Sequence, residues 1–339
     1  MKEIDMRAYG LICRDENINI GRIVSQQRSG YKVITGLGEK DGSVSGSLRF
    51  NLYDKSEFPA VGDWVKYEAA DKDNVVIHEI LPRKTVIFRK VCGGKSDEQV
   101  LAANVDKIFI VMSLNGNFNL RRLERYINIA WDSGAMPVIV LTKADLADNL
   151  EEDIKRTESV AIGIDVFAVS AVNNEGVNDL REVIGENDTV VFVGSSGAGK
   201  STLINALMGE EMQKTSDVGI NDKGRHTTTS RELFILPGGG IVIDTPGMRE
   251  IQVSSGDVEA TFVDIDKLAE QCRFPDCKHD KEPGCAVRAA IERGEIEEER
   301  LNSYWKLKRE IQIHELRHEM KMKRNERKFN KKTNRRKMV

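Results

Sequence analysis

An eight-residue motif, GSSGAGKS, lies between an apolar run at 189–194 and the helix-forming segment STLINALMG. Its glycine spacing and the following Lys-Ser pair are those of a phosphate-binding loop, which needs a strand before it and a helix after it. Backbone N–H groups wrap the phosphates, Lys200 reaches the β- and γ-phosphates, and Ser201 ligates Mg²⁺. The motif therefore constrains this region to an α/β fold. The candidate nucleotide-binding residues are Gly194, Ser195, Ser196, Gly197, Ala198, Gly199, Lys200, Ser201 and Thr202.

Apolar, β-rich runs surround this motif in the sequence. Near-continuous apolar strands are typical of a parallel sheet covered by helices. A helical stripe over 119–131 that includes Leu123, Ile127 and Ala130 supports this interpretation. We therefore expect a P-loop α/β domain over 104–255. The predicted strands are 107–113, 137–142, 165–170, 189–194, 232–237 and 240–245.

The segment TKAD predicts recognition of a guanine base. Asp145 can accept hydrogen bonds from guanine N1–H and the exocyclic amine, while the stem of Lys143 covers the ring. Adenine lacks that amine and has an acceptor at N1, so it leaves the carboxylate unpaired. Further along, VSAVN supplies Ser170 and Ala171, whose backbone can contact the guanine carbonyl. Asn usually opens this motif, and we expect Thr142 in its place to remove an amide that ties the loop to the phosphate loop.

Two further segments match the switches of a GTPase. In DTPG, Asp244 is placed to hold Mg²⁺ through water, and the N–H of Gly247 to meet the γ-phosphate. In GRHTTT, Thr228 is the favoured Thr to cover Mg²⁺ when GTP is bound, although a Thr run also suits a β-strand. The Gln that commonly positions the attacking water is replaced by Met248, so isolated turnover should be slow. His226 is the nearest polar candidate, and a structural His in a loop is the alternative; the predicted catalytic residues are Lys200 and His226.

These elements occur in the order base, base, phosphate, switch, switch. The sheet is complete if the fourth to sixth strands of the ordinary order precede the first to third. The pattern therefore predicts a circularly permuted GTPase, which is tolerated where domain ends lie close together at the surface. As a consequence, the chain passes from the second switch directly into the C-terminal domain, which should respond to the nucleotide.

The C-terminal region contains a compact set of soft ligands, CRFPDCKHDKEPGC. Cys272, Cys277, His279 and Cys285 make a closed three-Cys, one-His set that suits structural Zn²⁺ and leaves no open position for catalysis. Apolar residues at helical spacing after this segment are expected to form a core.

Short alternating segments over 18–81 predict a five-stranded β-barrel. The pattern favours an OB-fold, and an SH3-like barrel would produce a similar one. Basic residues placed on these segments are expected to give a face for RNA. They are Arg22, Lys32, Arg49 and Lys66.

Charge is unevenly distributed along the 339 residues, whose net charge is −3. Residues 317–339 hold eleven of the 51 Lys and Arg but two of the 54 Asp and Glu. This basic arm is either a solvated tail or a segment that binds a polyanion. No apolar run has the length of a membrane span, and the first residues lack a secretory pattern, so we expect no membrane partner and a cytoplasmic location.

The chain resembles the ribosome small-subunit-dependent GTPase A family, the RsgA/YjeQ type, over nearly its whole length. GDWV in the barrel, GSSGAGKS, GRHTTT, DTPG and the Cys-Cys-His-Cys segment carry the resemblance. It implies late maturation of the 30S subunit, with GTP hydrolysis to GDP stimulated by that subunit. It also implies contacts of barrel and arm with 16S rRNA. The expected cofactors are GTP or GDP, Mg²⁺ and one structural Zn²⁺, and we expect a monomeric, ribosome-associated protein. A signalling GTPase with a protein partner is the alternative, and a degenerate RNA-binding scaffold conflicts with the intact phosphate loop.

Together these patterns predict a multidomain α/β chain. Its parts are an OB-fold barrel (1–84), a connector (85–103), the permuted GTPase domain (104–255), a helical zinc-binding domain (256–316) and a basic tail (317–339).

Overall fold

The structure is a computed structural model, and it describes most of the chain in two compact units, residues 1–251 and 252–339. We call these the N-terminal and C-terminal units. The predicted site residues His226, Thr228 and Gly247 lie outside the described residues. The described residues are 5–11, 19–27, 30–52, 54–90, 98–115, 118–209, 231–244 and 258–336.

The elements are numbered in chain order. The described strands are β1 (Ile20–Gln26), β2 (Tyr31–Thr35), β3 (Gly38–Val44), β4 (Trp64–Ala69), β5 (Asn74–Ile80), β6 (Val86–Lys90), β7 (Glu98–Ala103), β8 (Lys107–Ser113), β9 (Met136–Thr142), β10 (Val166–Val169), β11 (Thr189–Val193), β12 (Arg231–Ile235) and β13 (Ile241–Asp244). The described helices are α1 (Gly46–Asn51), α2 (Leu120–Ser133), α3 (Leu150–Val160), α4 (Val177–Val183), α5 (Lys200–Met208), α6 (Val258–Thr261), α7 (Val263–Ala269), α8 (Ala286–Glu292) and α9 (Glu298–Arg336). Short 3₁₀ helices lie at Met6–Tyr9, Lys55–Glu57 and Ala144–Leu146.

The first five strands close into a barrel. Their order is β1-β2-β3-β5-β4, and β4 pairs back onto β1. The β3–β5 pair is parallel, and α1 lies in the chain between β3 and β4. A barrel of five strands closed in this order, with its helix after the third strand, is OB-like, so the predicted OB-type barrel is confirmed.

The third barrel strand lies earlier in the chain than its predicted position. The sequence predicts a strand over 43–50, but β3 ends at Val44 and α1 follows. Ser45 explains the change, because its hydroxyl accepts a hydrogen bond from the N–H of Leu48 at 3.1 Å and so caps a helix. Most residues of β3 are polar, and hydrophobic alternation does not mark it as a strand.

The six apolar strands of the α/β domain form where the sequence predicts them, to within two residues at each end. Their order in the sheet is β10-β9-β8-β11-β13-β12, and every neighbouring pair is parallel except β12–β13. If β11–β13 are counted as strands one to three and β8–β10 as four to six, the order is six-five-four-one-three-two. The phosphate loop then follows the first strand, as in an unpermuted GTPase, so the predicted permutation is confirmed. Phe109 and Phe192 stack at 5.1 Å between ring centroids in the core.

The predicted connector contains a two-stranded antiparallel ribbon, β6–β7, which the sequence did not indicate. Arg83 enters this ribbon from the barrel side. Its guanidinium donates to both oxygens of the fully buried Asp63 carboxylate, at 2.8 and 2.7 Å. This bidentate pair fixes the start of the ribbon to the GDWV turn of the barrel.

Arg22 joins the barrel to the α/β domain. Its side chain is 1% exposed, and the guanidinium donates to the carbonyls of Gly62, Tyr9 and Asn104 and, at 2.9 Å, to the hydroxyl of Thr189 at the start of β11. Burial lowers the pKa of Arg22 to about 10, because the protein interior disfavours the charge. Four acceptors from four segments offset that cost.

The predicted basic face of the barrel is therefore wrong in part. Arg22 is buried between domains and is not available to RNA. Lys32 pairs with Asp41 at 2.9 Å, and Lys66 pairs with Glu79 at 2.8 Å, so acidic neighbours offset both charges. Arg49 is exposed, but it lies on α1 rather than on a strand.

The C-terminal unit is helical, and α9 packs on the helices before it. Arg300 donates to both carboxylate oxygens of Asp264 at 2.8 Å, and its guanidinium lies over the ring of Phe262. Tyr304 and Leu307 are buried, as the sequence predicts for core residues. The same helix continues through Arg336, so most of the basic arm is helical. Within the parts of the chain described here, none of the helices combines the length and the hydrophobicity needed to cross a bilayer.

Gly62 is expected to be irreplaceable at the junction. Its φ is +94°, and a Cβ there would lie 2.1 Å from the carbonyl oxygen of Ala103. Gly62→Ala should lower the free energy of unfolding by about 2–5 kcal/mol, because left-handed strain and overpacking add. Thermal unfolding of the full chain measures this effect. The matched control is Gly163→Ala, where φ is +74° but nothing lies within 4 Å; an equal loss in both variants would contradict the packing argument.

Candidate functional site

The predicted nucleotide-binding segments meet at one edge of the sheet. Four parallel strands, β9, β10, β11 and β13, end at this edge. They lead respectively to the TKAD segment, to the Ser170–Ala171 pair, to the phosphate loop and to Asp244. Ligands of open α/β sheets bind at the carboxyl ends of the strands, so the fold assembles these segments as one site.

The phosphate loop has the backbone that its glycines permit. Gly194 has a φ of +153°, and a Cβ at this position would lie 2.3 Å from the carbonyl oxygen of Val111 on β8. The loop therefore passes directly against the neighbouring strand. Gly199 has a φ of +87° and immediately precedes α5. Since glycine has no side chain to cap that helix, the first N–H groups of α5 are open to an anion.

Lys200 folds back over this loop. Its Nζ donates to the carbonyl oxygens of Gly194 and Ser195, at 2.7 and 2.8 Å. These bonds hold the ammonium group against the start of the phosphate loop. The backbone N–H groups of the same loop would surround a bound phosphate. Ser196 and Gly197 form the exposed tip, Ala198 is buried beneath it, and Ser201 and Thr202 follow Lys200 in the first turn of α5.

Thr142 links the base loop to the phosphate loop. Its side chain is buried, and its hydroxyl donates to the carbonyl oxygen of Ala198 at 2.6 Å. The expectation that Thr at this position removes the tie between the two loops is therefore wrong, because the hydroxyl makes the tie. The Thr side chain is shorter than that of Asn. It still reaches the phosphate loop, because Thr142 is the last residue of β9 and only β8 lies between β9 and β11, the strand before that loop.

The predicted base-reading carboxylate is held by a second buried hydroxyl. Ser170 is fully buried, and its Oγ donates to Oδ1 of Asp145 at 2.6 Å. One carboxylate oxygen is thereby oriented by the protein. Lys143 adopts the left-handed conformation, with a φ of +58°, which turns the chain between β9 and Asp145. Ala171 follows Ser170 in the adjacent turn, so all four predicted base-site residues belong to two loops joined by this bond.

Asp244 ends β13, the strand next to β11, and is partly buried. An oxygen ligand at this position lies at the same sheet edge as Ser201, which is the arrangement that a shared Mg²⁺ requires. Thr228, Gly247 and His226 belong to the part of the chain outside the described residues, and their roles stay predictions.

The predicted metal ligands of the C-terminal unit lie together. The ligand atoms of Cys272, Cys277, His279 and Cys285 all lie within 4.8 Å of one another. The two sulfurs of Cys272 and Cys285 are 3.9 Å apart, and Nδ1 of His279 lies 3.6 and 3.5 Å from them. A tetrahedral zinc ion with its usual bond lengths would place such atoms about 3.8 Å and about 3.6 Å apart. The cluster can therefore hold one metal ion.

Neighbouring residues that the sequence did not single out orient these ligands. Arg288 donates through its backbone N–H to the sulfur of Cys285 and through Nε to the carbonyl oxygen of His279. The ring of Trp305 on α9 lies 6.0 Å from the imidazole centroid. Burial lowers the pKa of His279, which favours the neutral imidazole that a metal needs.

The sheet order, the phosphate loop and the base loop define the class of protein: a circularly permuted P-loop GTPase. Comparisons with known proteins agree. A sequence model of the RsgA GTPase family matches residues 80–254. A model described as ABC transporter also matches residues 177–336, a range that includes the phosphate loop.

The chain is 47% identical over 316 residues to "Small ribosomal subunit biogenesis GTPase RsgA 2" of Lactiplantibacillus plantarum. It is 48% identical over 314 residues to RsgA 1 of Oceanobacillus iheyensis, and both matches cover 91% of this chain and 90% of the relative. Among solved structures, YjeQ from Thermotoga maritima matches with a TM-score of 0.65 and 26% identity, over 86% of this chain and 98% of that one. YloQ, described as a circularly permuted GTPase, matches with a TM-score of 0.62 and 26% identity, over 88% and 98%. The chain belongs to the RsgA GTPase family.

Thr142→Val should weaken nucleotide binding. The substitution keeps the side-chain shape but leaves the buried carbonyl of Ala198 without its donor, at a cost of about 1–2 kcal/mol in binding or stability. Titration with a fluorescent GDP analogue measures the affinity, and Thr142→Ser should restore it. The matched control is Thr157→Val, which removes a similar bond to the carbonyl of Asp153 on α3. Equal nucleotide affinity in both valine variants would show that the Thr142 bond has no special role in the site.

Proposed function

We propose that this chain acts in late maturation of the small ribosomal subunit, where it hydrolyses GTP to GDP and phosphate with stimulation by that subunit. The observation that carries the proposal is 47–48% identity, over 91% of the chain, to proteins named small ribosomal subunit biogenesis GTPases. The nucleotide site supports it, because the base loop and the phosphate loop are bonded to each other at the edge where GTP would bind.

The chain's own residues would share the work of hydrolysis. Lys200 would offset charge on the β- and γ-phosphates, and Asp145 would select guanine through its two acceptor oxygens. Mg²⁺, when bound, neutralises developing charge on the phosphates; Ser201, Thr228 and Asp244 would hold it. The N–H of Gly247 would contact the γ-phosphate, in keeping with the order of the switches in the sequence.

The C-terminal cluster would hold one structural Zn²⁺. Its donor set is three thiols and one imidazole, and the three distances among Cys272, Cys285 and His279 match a tetrahedral ion. Four protein ligands leave no coordination position for a substrate. The ion would therefore fix the loop between α7 and α8 and stabilise the C-terminal unit.

The remaining proposals concern location and partners. We propose that the basic arm contacts 16S rRNA and that the protein is monomeric and cytoplasmic. We also propose that the chain has five parts, with boundaries after residues 84, 103, 255 and 316. The second switch precedes the C-terminal unit in the sequence, and we propose that this connection passes the nucleotide state to that unit. A protein-partnered signalling GTPase is the other candidate, and no described contact favours it.

The direct test is the GTPase rate of the full chain with and without purified 30S subunits. We expect a slow basal rate and a clear stimulation, together with tighter subunit binding in GMPPNP than in GDP. Excess ATP should not displace labelled GTP, because adenine has no donor at N1 or C2 for the carboxylate of Asp145. No stimulation and no nucleotide-dependent binding would refute the proposal and leave the signalling alternative.

His226→Ala tests the catalytic assignment of this residue. We expect the stimulated single-turnover rate to fall by a factor of about 10² to 10⁴, the usual contribution of a group that handles a proton or a water. The basal rate and the GTP affinity should change little. A stimulated rate equal to that of the unaltered chain removes His226 from the mechanism.

Purified protein should contain one zinc ion per chain, measured by plasma mass spectrometry. Cys277→Ser should lose it and lower the melting temperature, because metal binding contributes folding free energy. Cys92→Ser is the matched control, since the sequence does not place this thiol in the CRFPDCKHDKEPGC segment. Chelation should also change the fluorescence of Trp305, and Trp305→Phe should abolish the change. Full zinc retention by Cys277→Ser would contradict the four-ligand site.

A further inference from the structure

Strand β1 belongs to the barrel and to the sheet of the α/β domain at the same time. Its first part pairs with β4, where Arg22 lies opposite Trp64. Its last two residues, Ser25 and Gln26, pair with β12, opposite Glu232 and Arg231. Backbone hydrogen bonds therefore connect the barrel to the last strand in the sheet order of the nucleotide-binding domain. Because β1 and β12 are paired, a displacement of β1 would also displace β12.

The start of β12 has a special place in the sequence. Arg231 is its first residue, and it lies three residues after Thr228, the predicted Mg²⁺ contact of the first switch. Arg231 is therefore the point at which β12 joins the segment that carries Thr228.

The guanidinium of Arg231 connects three elements. Its Nη1 donates to Oε1 of Gln26 on β1 at 2.9 Å and to the carbonyl oxygen of Val100 on β7 at 3.1 Å. The barrel, the β6–β7 ribbon and the switch-bearing strand therefore share one cation. Arginine suits this position, because its planar group holds several acceptors in fixed directions, whereas lysine offers a point charge.

Gln26 also contacts the neighbouring barrel strand β2, where it lies opposite Tyr31. Its side chain is hydrogen-bonded to the hydroxyl of Tyr31 on β2. Tyr31 lines a polar cleft of the barrel together with Asp41 and Asn74. A continuous set of side-chain contacts thus leads from this cleft, through Gln26, to the first residue of β12.

We propose that Arg231 is a positioning residue for GTP hydrolysis: through Gln26 and Val100 it sets the start of β12 according to how the barrel and the ribbon are held. Binding of the small subunit to the barrel side would then act on the start of β12, which follows Thr228 in the chain, and GTP would in turn strengthen subunit binding. The inference rests on the proposed function, since the subunit is the partner whose binding is transmitted. Linkage requires the two effects on affinity to be equal in size.

The test compares coupling with stability in the full chain. Affinity for purified 30S subunits is measured in GMPPNP and in GDP, and their ratio gives the coupling. Variants Arg231→Ala, Gln26→Ala and the double variant are compared with Arg231→Lys. The matched control is Arg181→Ala, whose guanidinium also donates to backbone carbonyls, those of Ala206 and Leu207, but joins α4 to α5.

We expect Arg231→Ala to reduce the coupling ratio and the stimulated GTPase rate by about five-fold or more, a typical allosteric magnitude. Basal turnover and GTP affinity should stay within about two-fold of the unaltered chain, because Gln26 and Val100, the two acceptors of Arg231, are not predicted nucleotide ligands. Gln26→Ala should reproduce the effect, the double variant should add little to it, and Arg231→Lys should fall between. Arg181→Ala should lose stability but keep the ratio.

Two results overturn the inference. If Arg231→Ala and Gln26→Ala lower the melting temperature but keep the coupling ratio, the cation is structural only, and the proposed function still stands. If Arg231→Ala does not fold, Gln26→Ala decides alone, because it removes the side-chain contact and leaves the backbone pairing of β1 with β12 intact. If the unaltered chain itself shows no coupling to the subunit, the proposed function and this inference both fail.

Discussion

The N-terminal unit depends on a buried cation. Arg22 is the point where the first helical turn, the barrel, the start of β8 and the start of β11 meet, and its acceptors are carbonyl and hydroxyl groups rather than carboxylates. A buried charge with neutral partners contributes little net stability, but it tolerates few alternative arrangements, because every displacement leaves a donor unpaired. Such a contact fixes geometry. It holds the barrel in one orientation against the strand that leads to the phosphate loop.

Permutation changes which parts of the nucleotide site are joined by covalent bonds. In this chain 48 residues lie between the TKAD segment and the phosphate loop, so the relative position of the two depends on the sheet and on side-chain contacts. Two buried hydroxyls provide those contacts: Thr142 bonds the base loop to the phosphate loop, and Ser170 bonds the two base loops to each other. The permuted domain therefore begins where the chain leaves the barrel and the β6–β7 ribbon, and it ends after the second switch.

Much of this architecture could be predicted from the sequence, because buried parallel strands appear as continuous apolar runs and because phosphate and metal ligands have fixed spacings. Two kinds of feature could not. β3 is polar and exposed in part, and a single cap at Ser45 decides where it gives way to a helix. The second kind is a residue at a domain junction. Arg22 is a basic residue on a barrel strand, as an RNA-binding residue would be, and only the packing of four distant segments shows that it is buried. The Thr142 bond depends in the same way on a neighbour 56 positions along the chain.

The last helix has a consequence for how the basic arm can meet a partner. With 39 residues, α9 is about 58 Å long, more than the diameter of a small domain. Its first turns pack beside the cysteine and histidine cluster, and its last turns belong to the basic arm, where eleven Lys and Arg stand against two Glu. A flexible tail of equal length would lose conformational entropy whenever it settled on a polyanion. A helix that is already formed loses less entropy on binding, and it holds its charged end at a fixed distance from the cysteine and histidine cluster.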